Sequence, residues 1–452
     1  MAGDALLVAG LTPLGRLREG WQRLARSARQ DRFLRRLALL SGGTMLGQAV
    51  VLLSSPLLTR LYTPEEFGLL GVFASLSGIL GSSIALRYDF AVPVCDDDGE
   101  AAGIVLVAMV AVTLLSGAVG LLVWVLGPWL AALTSTPELA PALWLLPVSL
   151  ALWGLSLPLS FWMVRQAGYR IVAANKVVRF VVQVAVQLGL GLAGAGGLGL
   201  VIGVAAGYLA STAHFLLALP PAERALLRAV PAGRLWPLAA RHWRYPAFST
   251  PSGLLQSAIQ FLPATLVAVV YGPTAAGWFA LAQRLLELPV VLLSNSASAV
   301  FLAEVRGLPA IEVRRLFLRT AGRFTVLGLL GMAPLLLLGP QLFALLFGEP
   351  WRDAGSVLQC LLLAQLARFV VIPISQTLNV YGRQELHLVA ASLGLAMLGA
   401  AFALGWWLEL PLLTTLLLLS FGLTLAYLVY LQLTWRVILA ATAAVPPHPT
   451  GG

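Results

Sequence analysis

Charge is scarce in this sequence and, over long reaches, missing. Asp, Glu, Lys and Arg make up 11% of the 452 residues, and none falls between Glu100 and Glu138 or between Phe180 and Ala222. A water-soluble core does not read this way, because a folded surface in water carries charged side chains at frequent intervals. Cysteine is nearly absent. Cys95 and Cys360 lie far apart with no CxxC or neighbouring histidine, which gives neither a disulfide framework nor a zinc site. A P-loop is also lacking, since no GKS or GKT follows the glycine tracts, and this argues against ATP hydrolysis by the chain. What remains is apolar: 59% of residues are hydrophobic and the mean hydropathy is +0.89. Runs longer than the roughly 18 to 20 residues that span a bilayer recur throughout.

Twelve segments fit that length: 37–61, 67–86, 101–126, 142–164, 177–194, 197–219, 246–270, 277–301, 324–347, 355–379, 387–408 and 411–433. The expected fold class is an all-α polytopic membrane protein. A glycine-rich turn, Leu190–Gly199, separates the fifth and sixth segments. No signal-peptide cleavage is expected. Asp4 rather than a basic cluster precedes the run ALLVAGLTPL, and an Arg-rich stretch follows it. That stretch, within residues 1–36, holds Arg16, Arg18, Arg23, Arg26, Arg29, Arg32, Arg35 and Arg36, with Leu17, Trp21, Leu24 and Ala28 at helical spacing. A helix lying on anionic membrane lipids and a solvated basic arm that only sets topology account for it equally.

With the N-terminus inside, 25 of the 29 Lys and Arg residues fall on inner segments. The outer side keeps Arg60 and Arg352, while Arg284 and Arg368 fall within spans. By the positive-inside rule both termini are expected to be cytoplasmic. The net charge of +10 is then topological and calls for no nucleic-acid partner.

The sequence also repeats itself. RLYTPEEFGLL, Arg60–Leu70, is answered by VVYGPTAAGWF, Val269–Phe279; LGPWLAAL, Leu126–Leu133, by LGPQLFAL, Leu338–Leu345; and the Gly168 turn by the Gly382 turn. The offsets drift slowly in one direction, which indicates a duplicated unit of six helices. Six is even, so the copies are parallel repeats that enter the membrane in the same sense. The expected organisation is an arm at 1–36, lobes at 37–220 and 246–436, a cytoplasmic linker at 221–245 and a tail at 437–452.

Polar groups inside spans are costly and mark function or pairing. Arg60 and Arg87 stand at span ends; Arg284 and Arg368 lie inside. Glu287 is placed on the helical face of Arg284, where it offers a neutralising internal pair. Arg368 has no acidic neighbour in sequence, so its charge must be met from another helix, by water or by an anionic ligand. Gln256, Gln260, Gln283, Gln365 and Gln376 add neutral hydrogen-bonding capacity, suited to a hydroxyl-rich ligand or to interhelical pairing. Asp89, Glu287 and His214 are candidates for a coupling ion. The acidic run DDDGE, Asp96–Glu100, stands in a short loop without further ligands and reads as solvated, so no metal is expected.

The run Leu58–Val94, with YTPEEFG followed by LRYDFAVP, resembles the opening of bacterial oligosaccharide flippases of the Wzx type, in the multidrug, oligosaccharidyl-lipid and polysaccharide (MOP) exporter superfamily. Tyr245–Pro289 and the YGRQ turn at 381–384 resemble the matching second-half regions, so the likeness covers roughly residues 37–433. The resemblance implies a V-shaped pair of six-helix bundles in the bacterial inner membrane. By alternating access, such a pair moves undecaprenyl-diphosphate-linked oligosaccharide to the outer leaflet, without cofactor, beside a polysaccharide polymerase and a chain-length regulator. Arg87, Arg284 and Arg368, with Arg60 at the outer end, are expected to line the cleft between the lobes and meet the diphosphate, and Gln256, Gln260, Gln365 and Gln376 to meet sugars.

Two rivals fit less well. A drug antiporter of the related MATE type needs intramembrane carboxylates for cations, and Glu287 and Asp89 are the clearest here. An enzyme of glycan assembly needs a large catalytic outer loop, whereas the longest outer segment, Gly127–Pro141, carries Glu138 alone.

Overall fold

The computed structural model describes residues 32–133, 139–305, 307–383 and 385–443; the arm up to residue 31, Glu138 and the tail from residue 444 lie outside them. Among the described residues the fold is entirely helical. The first lobe comprises α1 (Arg32–Leu61), α2 (Pro64–Gly81), α3 (Asp98–Leu133), α4 (Leu139–Leu143), α5 (Leu145–Arg165), α6 (Tyr169–Leu192) and α7 (Gly197–Ala218). Short helices α8 (Pro221–Ala229) and α9 (Leu235–Arg241) lead to the second lobe. That lobe comprises α10 (Thr250–Pro289), α11 (Asn295–Val305), α12 (Ala310–Phe347), α13 (Arg352–Ile374), α14 (Gln376–Val380), α15 (Glu385–Trp407) and α16 (Leu412–Ala443).

Ten helical stretches among the described residues are long and apolar enough to cross a membrane. One of them, Tyr245–Ser294, makes two passes. Gly272 (φ 86°, ψ 173°) breaks α10 into two arms, and Gln283 Nε2 on the second donates to Gln260 O on the first at 3.1 Å. α2, with 18 residues and two glutamates in its first turn, is not one of the ten; it stands where the second of the twelve expected segments falls.

The repeated phrase forms the same turn twice by different chemistry. In YTPEEFG, Pro64 opens α2 at a position where its fixed φ suits a helix and its missing N–H is not needed. Thr63 and Glu66 close a reciprocal capping box: Thr63 N donates to Glu66 Oε2 at 2.7 Å and Glu66 N donates to Thr63 Oγ1 at 3.3 Å. In YGPTAAG the cap position is Gly272, whose left-handed backbone makes the bend without a side chain. These turns bring the lobes together reciprocally. Gly68 lies against the carbonyl of Pro273, its counterpart Gly277 against the carbonyl of Pro64, and Gly71 against the methyl group of its own counterpart, Ala280. A pseudo-two-fold axis therefore passes between α2 and α10 at this end, called the turn end below. Trp351, at the start of α13, adds a tie from the second lobe to the first. Its Nε1 donates to Thr59 O at 3.1 Å, and its buried ring meets Phe67 edge-on at 4.8 Å.

Several expected boundaries are corrected. α2 stops at Gly81 rather than near residue 86, because Gly81 abuts the Trp153 ring and the chain then turns through left-handed Leu86 (φ 50°) and Arg87 (φ 58°). α6 begins at Tyr169, eight residues before the expected 177, so Arg170 and Lys176, expected ahead of the span, lie inside the same helix as Arg179. α12 begins at Ala310 rather than 324, and Arg314, Arg315, Arg319 and Arg323 ride on its first turns. These residues, with Arg165, Arg241 and Arg383, mark the arginine-rich end of the molecule.

Candidate functional site

The second lobe encloses a cavity of about 630 Å³, within the usual range for ligand sites. Helical spacing builds its wall. Gln256 and Gln260 stand one turn apart on the first arm of α10, Gln283 and Glu287 one turn apart on the second, and Gln365, Arg368 and Ile372 along α13. The lining continues through Gln376 and Asn379 on α14, His387 on α15, and Tyr427 and Tyr430 on α16. It runs from Pro263 and Phe279 within the bundle toward Ser252, Asn379 and His387 at the arginine-rich end.

One ion pair dominates this wall. Arg368 donates through Nη1 to Glu287 Oε1 at 2.5 Å and through Nη2 to Oε2 at 3.2 Å, a two-pronged arrangement that suits a guanidinium. Both side chains keep about a quarter of their surface, 23% and 24%, so the pair faces the cavity rather than a sealed core. The remaining polar groups are neutral. Gln365 Nε2 donates to Leu286 O, Asn379 Nδ2 to Gln376 Oε1 at 2.9 Å, and Tyr430 OH to Ser375 O at 3.0 Å. Tyr430 OH also lies 3.2 Å from His387 Nδ1, whose ring Nε2 is buried without a partner.

Residues 57–356 match the family described as polysaccharide biosynthesis protein. The chain belongs to that family. No curated protein matches it in sequence. Among solved structures it is similar to an inward-facing MATE-family multidrug transporter of the MOP superfamily (15% identity, TM-score 0.63, 90% of this chain and 96% of that one). It is also similar to a MOP-superfamily transporter from Pyrococcus furiosus (14%, TM-score 0.56, 90% and 96%) and to an outward-facing MATE-family transporter (13%, TM-score 0.57, 90% and 96%). At such identities the likeness speaks for the fold, which is the two-lobed fold of MOP transporters. The family membership and the ten long apolar stretches among the described residues make the protein a multi-pass membrane protein of polysaccharide biosynthesis, built on the fold that MOP transporters share.

In this polysaccharide biosynthesis protein the residues singled out by sequence divide into groups. Gln256, Gln260, Gln365, Gln376, Arg368 and Glu287 come together in the cavity. Glu287 pairs with Arg368 across helices and not with Arg284 along its own, so the charge of Arg368 is met by protein. Of the three arginines expected to share a cleft, Arg368 lines this cavity, and Arg87 and Arg284 are not among its lining residues. Arg60 is exposed at the turn end. Arg87 stacks 5.0 Å over Phe90 at the arginine-rich end, packed on Gly253, with its Nε buried and unpartnered. Arg284 lies one turn beyond Ala280, on the face that meets α2 at the pseudo-axis, and makes no hydrogen bond or ion pair among the described residues. Its counterpart in the first copy is Ser75, which donates to Phe261 O at 2.5 Å.

Asp89 is buried beside the arginine-rich end. Burial pushes its carboxyl up to about 6, with Arg87 pulling the other way. His214 packs within the first lobe, its Nδ1 3.3 Å from Asn175 Nδ2 in a network with Ser211. Two cations escaped the sequence reading. Arg179 sits among Tyr208, Phe180 and Trp153 at 4.3, 5.0 and 5.9 Å from their ring centres, and Lys176 donates to Thr44 Oγ1 at 2.6 Å. Neither has a carboxylate partner among the described residues. His387, Tyr427 and Tyr430 were missed as well, although the i, i+3 spacing of the two tyrosines is a detectable signal.

The reading of Asp96–Glu100 as a run without further ligands is also corrected. Donor atoms of Cys95, Glu100 and His242 lie within 4.8 Å of one another. His242 comes from the linker, and the 142 positions between it and Glu100 hide the cluster from any local motif.

Proposed function

We propose that this protein is a flippase. It would carry a lipid-linked oligosaccharide with a diphosphate headgroup from the inner to the outer leaflet of the bacterial inner membrane, for polysaccharide assembly, with both termini in the cytoplasm. The observation that carries this reading is the chemistry of the second-lobe cavity. Its one carboxylate is tied to Arg368, and the rest of its polar wall is amide, hydroxyl and imidazole, which suits a hydroxyl-rich glycan rather than an organic cation. The cationic partner for the diphosphate is Arg284, uncompensated at the pseudo-axis, because an arginine fork is well matched to phosphate oxygens. Gln256, Gln260, Gln365 and Gln376 contact sugars, and Lys176 and Arg179 add positive charge in the first lobe. Packed turn ends describe a state closed at that end, and alternating access follows as a rocking of the lobes about the α2–α10 contact. Transport of this kind needs no catalytic group, and the protein works beside a polymerase and a chain-length regulator.

The test uses the full chain in vesicles loaded with undecaprenyl-diphosphate oligosaccharide and reads the glycan that becomes reachable by added glycosidase. Protein-dependent exposure that falls at least tenfold in Arg284→Ala supports the reading. Exposure unchanged in the variant removes Arg284 as the anion contact and keeps the flippase. No exposure, together with export of a cationic dye, assigns the MATE-type activity that the structural likeness also supports.

A further inference from the structure

We propose that Cys95, Glu100 and His242 form a binding site for a divalent cation of the zinc class, at the arginine-rich end, where the linker between the lobes meets the first lobe. A thiolate, an imidazole and a carboxylate make a mixed soft and borderline donor set, which favours zinc-like ions over magnesium or calcium. Three protein ligands leave a fourth position for water, the arrangement of an open tetrahedral site.

The three side chains are presented by fixed backbone. Cys95 ends the 3₁₀ turn Tyr88–Val94, and Arg165 Nη1 holds its carbonyl at 2.8 Å. Glu100 lies in the first turn of α3, where its N–H donates to Asp97 Oδ1 at 2.7 Å. Both residues are buried, at 7% and 8% exposure. His242 follows α9, which is docked by Tyr88 OH donating to Ala239 O at 3.2 Å and by Leu238 seated over Gly103. Its Nε2 already lies 3.1 Å from Glu100 Oε1.

Arg241 also touches Glu100 Oε1, at 3.0 Å, and is the cation a metal would displace. Its side chain is 63% exposed and its Nη2 reaches Asp96 Oδ2 at 3.2 Å, so it has a carboxylate to move to. On binding, the Cys95 thiol proton leaves to solvent, Nε2 of His242 gives its lone pair, and the imidazole proton resides on Nδ1. The bound ion fastens the entry of α10 to the first lobe.

The test is a titration of untagged full-length protein in detergent with Co²⁺ and Zn²⁺. It reads the near-ultraviolet thiolate-to-cobalt absorption and the competition with a chromophoric chelator. One equivalent of Co²⁺ with a thiolate band, displaced by Zn²⁺, is expected for the wild type. Binding weaker by at least tenfold is expected for Cys95→Ser and for His242→Gln. Cys360→Ser, which changes a cysteine buried in α13, retains the site. A thermal melt of each apo variant matching the wild type confirms that loss of binding is not loss of fold, and Glu100→Gln gives a third variant should either fail to fold. Absence of a thiolate band in the wild type, or equal binding by the variants, overturns the proposal.

Discussion

A buried charge states its partner, and here the partners separate structure from function. Arg368 and Glu287 satisfy each other, and removing either would leave an uncompensated charge in the bundle, so the pair accounts for its own presence. Arg284 has no such account, which is why we propose it as the anion contact. Asp89 gives a testable consequence at this scale. Its carboxyl sits at about 6 in the folded protein against 3.8 as the ordinary value, because burial disfavours the anion more than Arg87 favours it. A raised acid stabilises the fold in its protonated form. That contribution is fully present below about pH 4 and is lost as pH rises through about 6. The expected result is a thermal midpoint that falls over this window by an amount corresponding to at most about 3 kcal/mol. In Asp89→Asn the step disappears while the rest of the profile remains. A step that persists in the variant assigns the titration elsewhere.

Helices were legible wherever a local pattern decides them, and their ends were not. Apolar length found the passes, and the repeated phrase found the duplication. The end of α2 depends on the Trp153 ring pressed against Gly81, and the start of α6 on the Gly168 turn, neither of which a window of hydropathy can register. The same limit hid the Glu287–Arg368 pair, 81 positions apart, and the meeting of Cys95 and Glu100 with His242. The glutamines were legible as neutral hydrogen-bonding capacity within the spans; that they line one cavity inside a single lobe was not. The glycines of the repeated phrase carry this scale's prediction. Any side chain at Gly277 collides with the Pro64 carbonyl, and backbone cannot yield as a flexible side chain can. Gly277→Leu and Gly68→Leu should each cost about 1–3 kcal/mol, read as a lower thermal midpoint in detergent. Gly189→Leu, where nothing lies within 4 Å, should leave it nearly unchanged.

For the whole molecule, the duplication sets the mechanics. The two copies touch through equivalent residues at the turn end, so a single axis relates both lobes, and separating them requires breaking both glycine contacts at once. Trp351 stands outside this symmetry: it belongs to the second lobe, yet its ring and its N–H are satisfied by Phe67 and Thr59 of the first. A large aromatic anchor of this kind contributes more than its hydrogen bond, because its whole buried surface returns to lipid or water when the lobes part. Trp351→Ala should therefore shift the population toward a state open at the turn end. The measurement is the rate of maleimide labelling of Ala276→Cys, a position fully buried between the lobes, in a chain whose two native cysteines are also buried. Labelling several-fold faster in the Trp351→Ala background is expected. An unchanged rate would show that the glycine contacts alone hold this end shut, and that the tryptophan packs without gating.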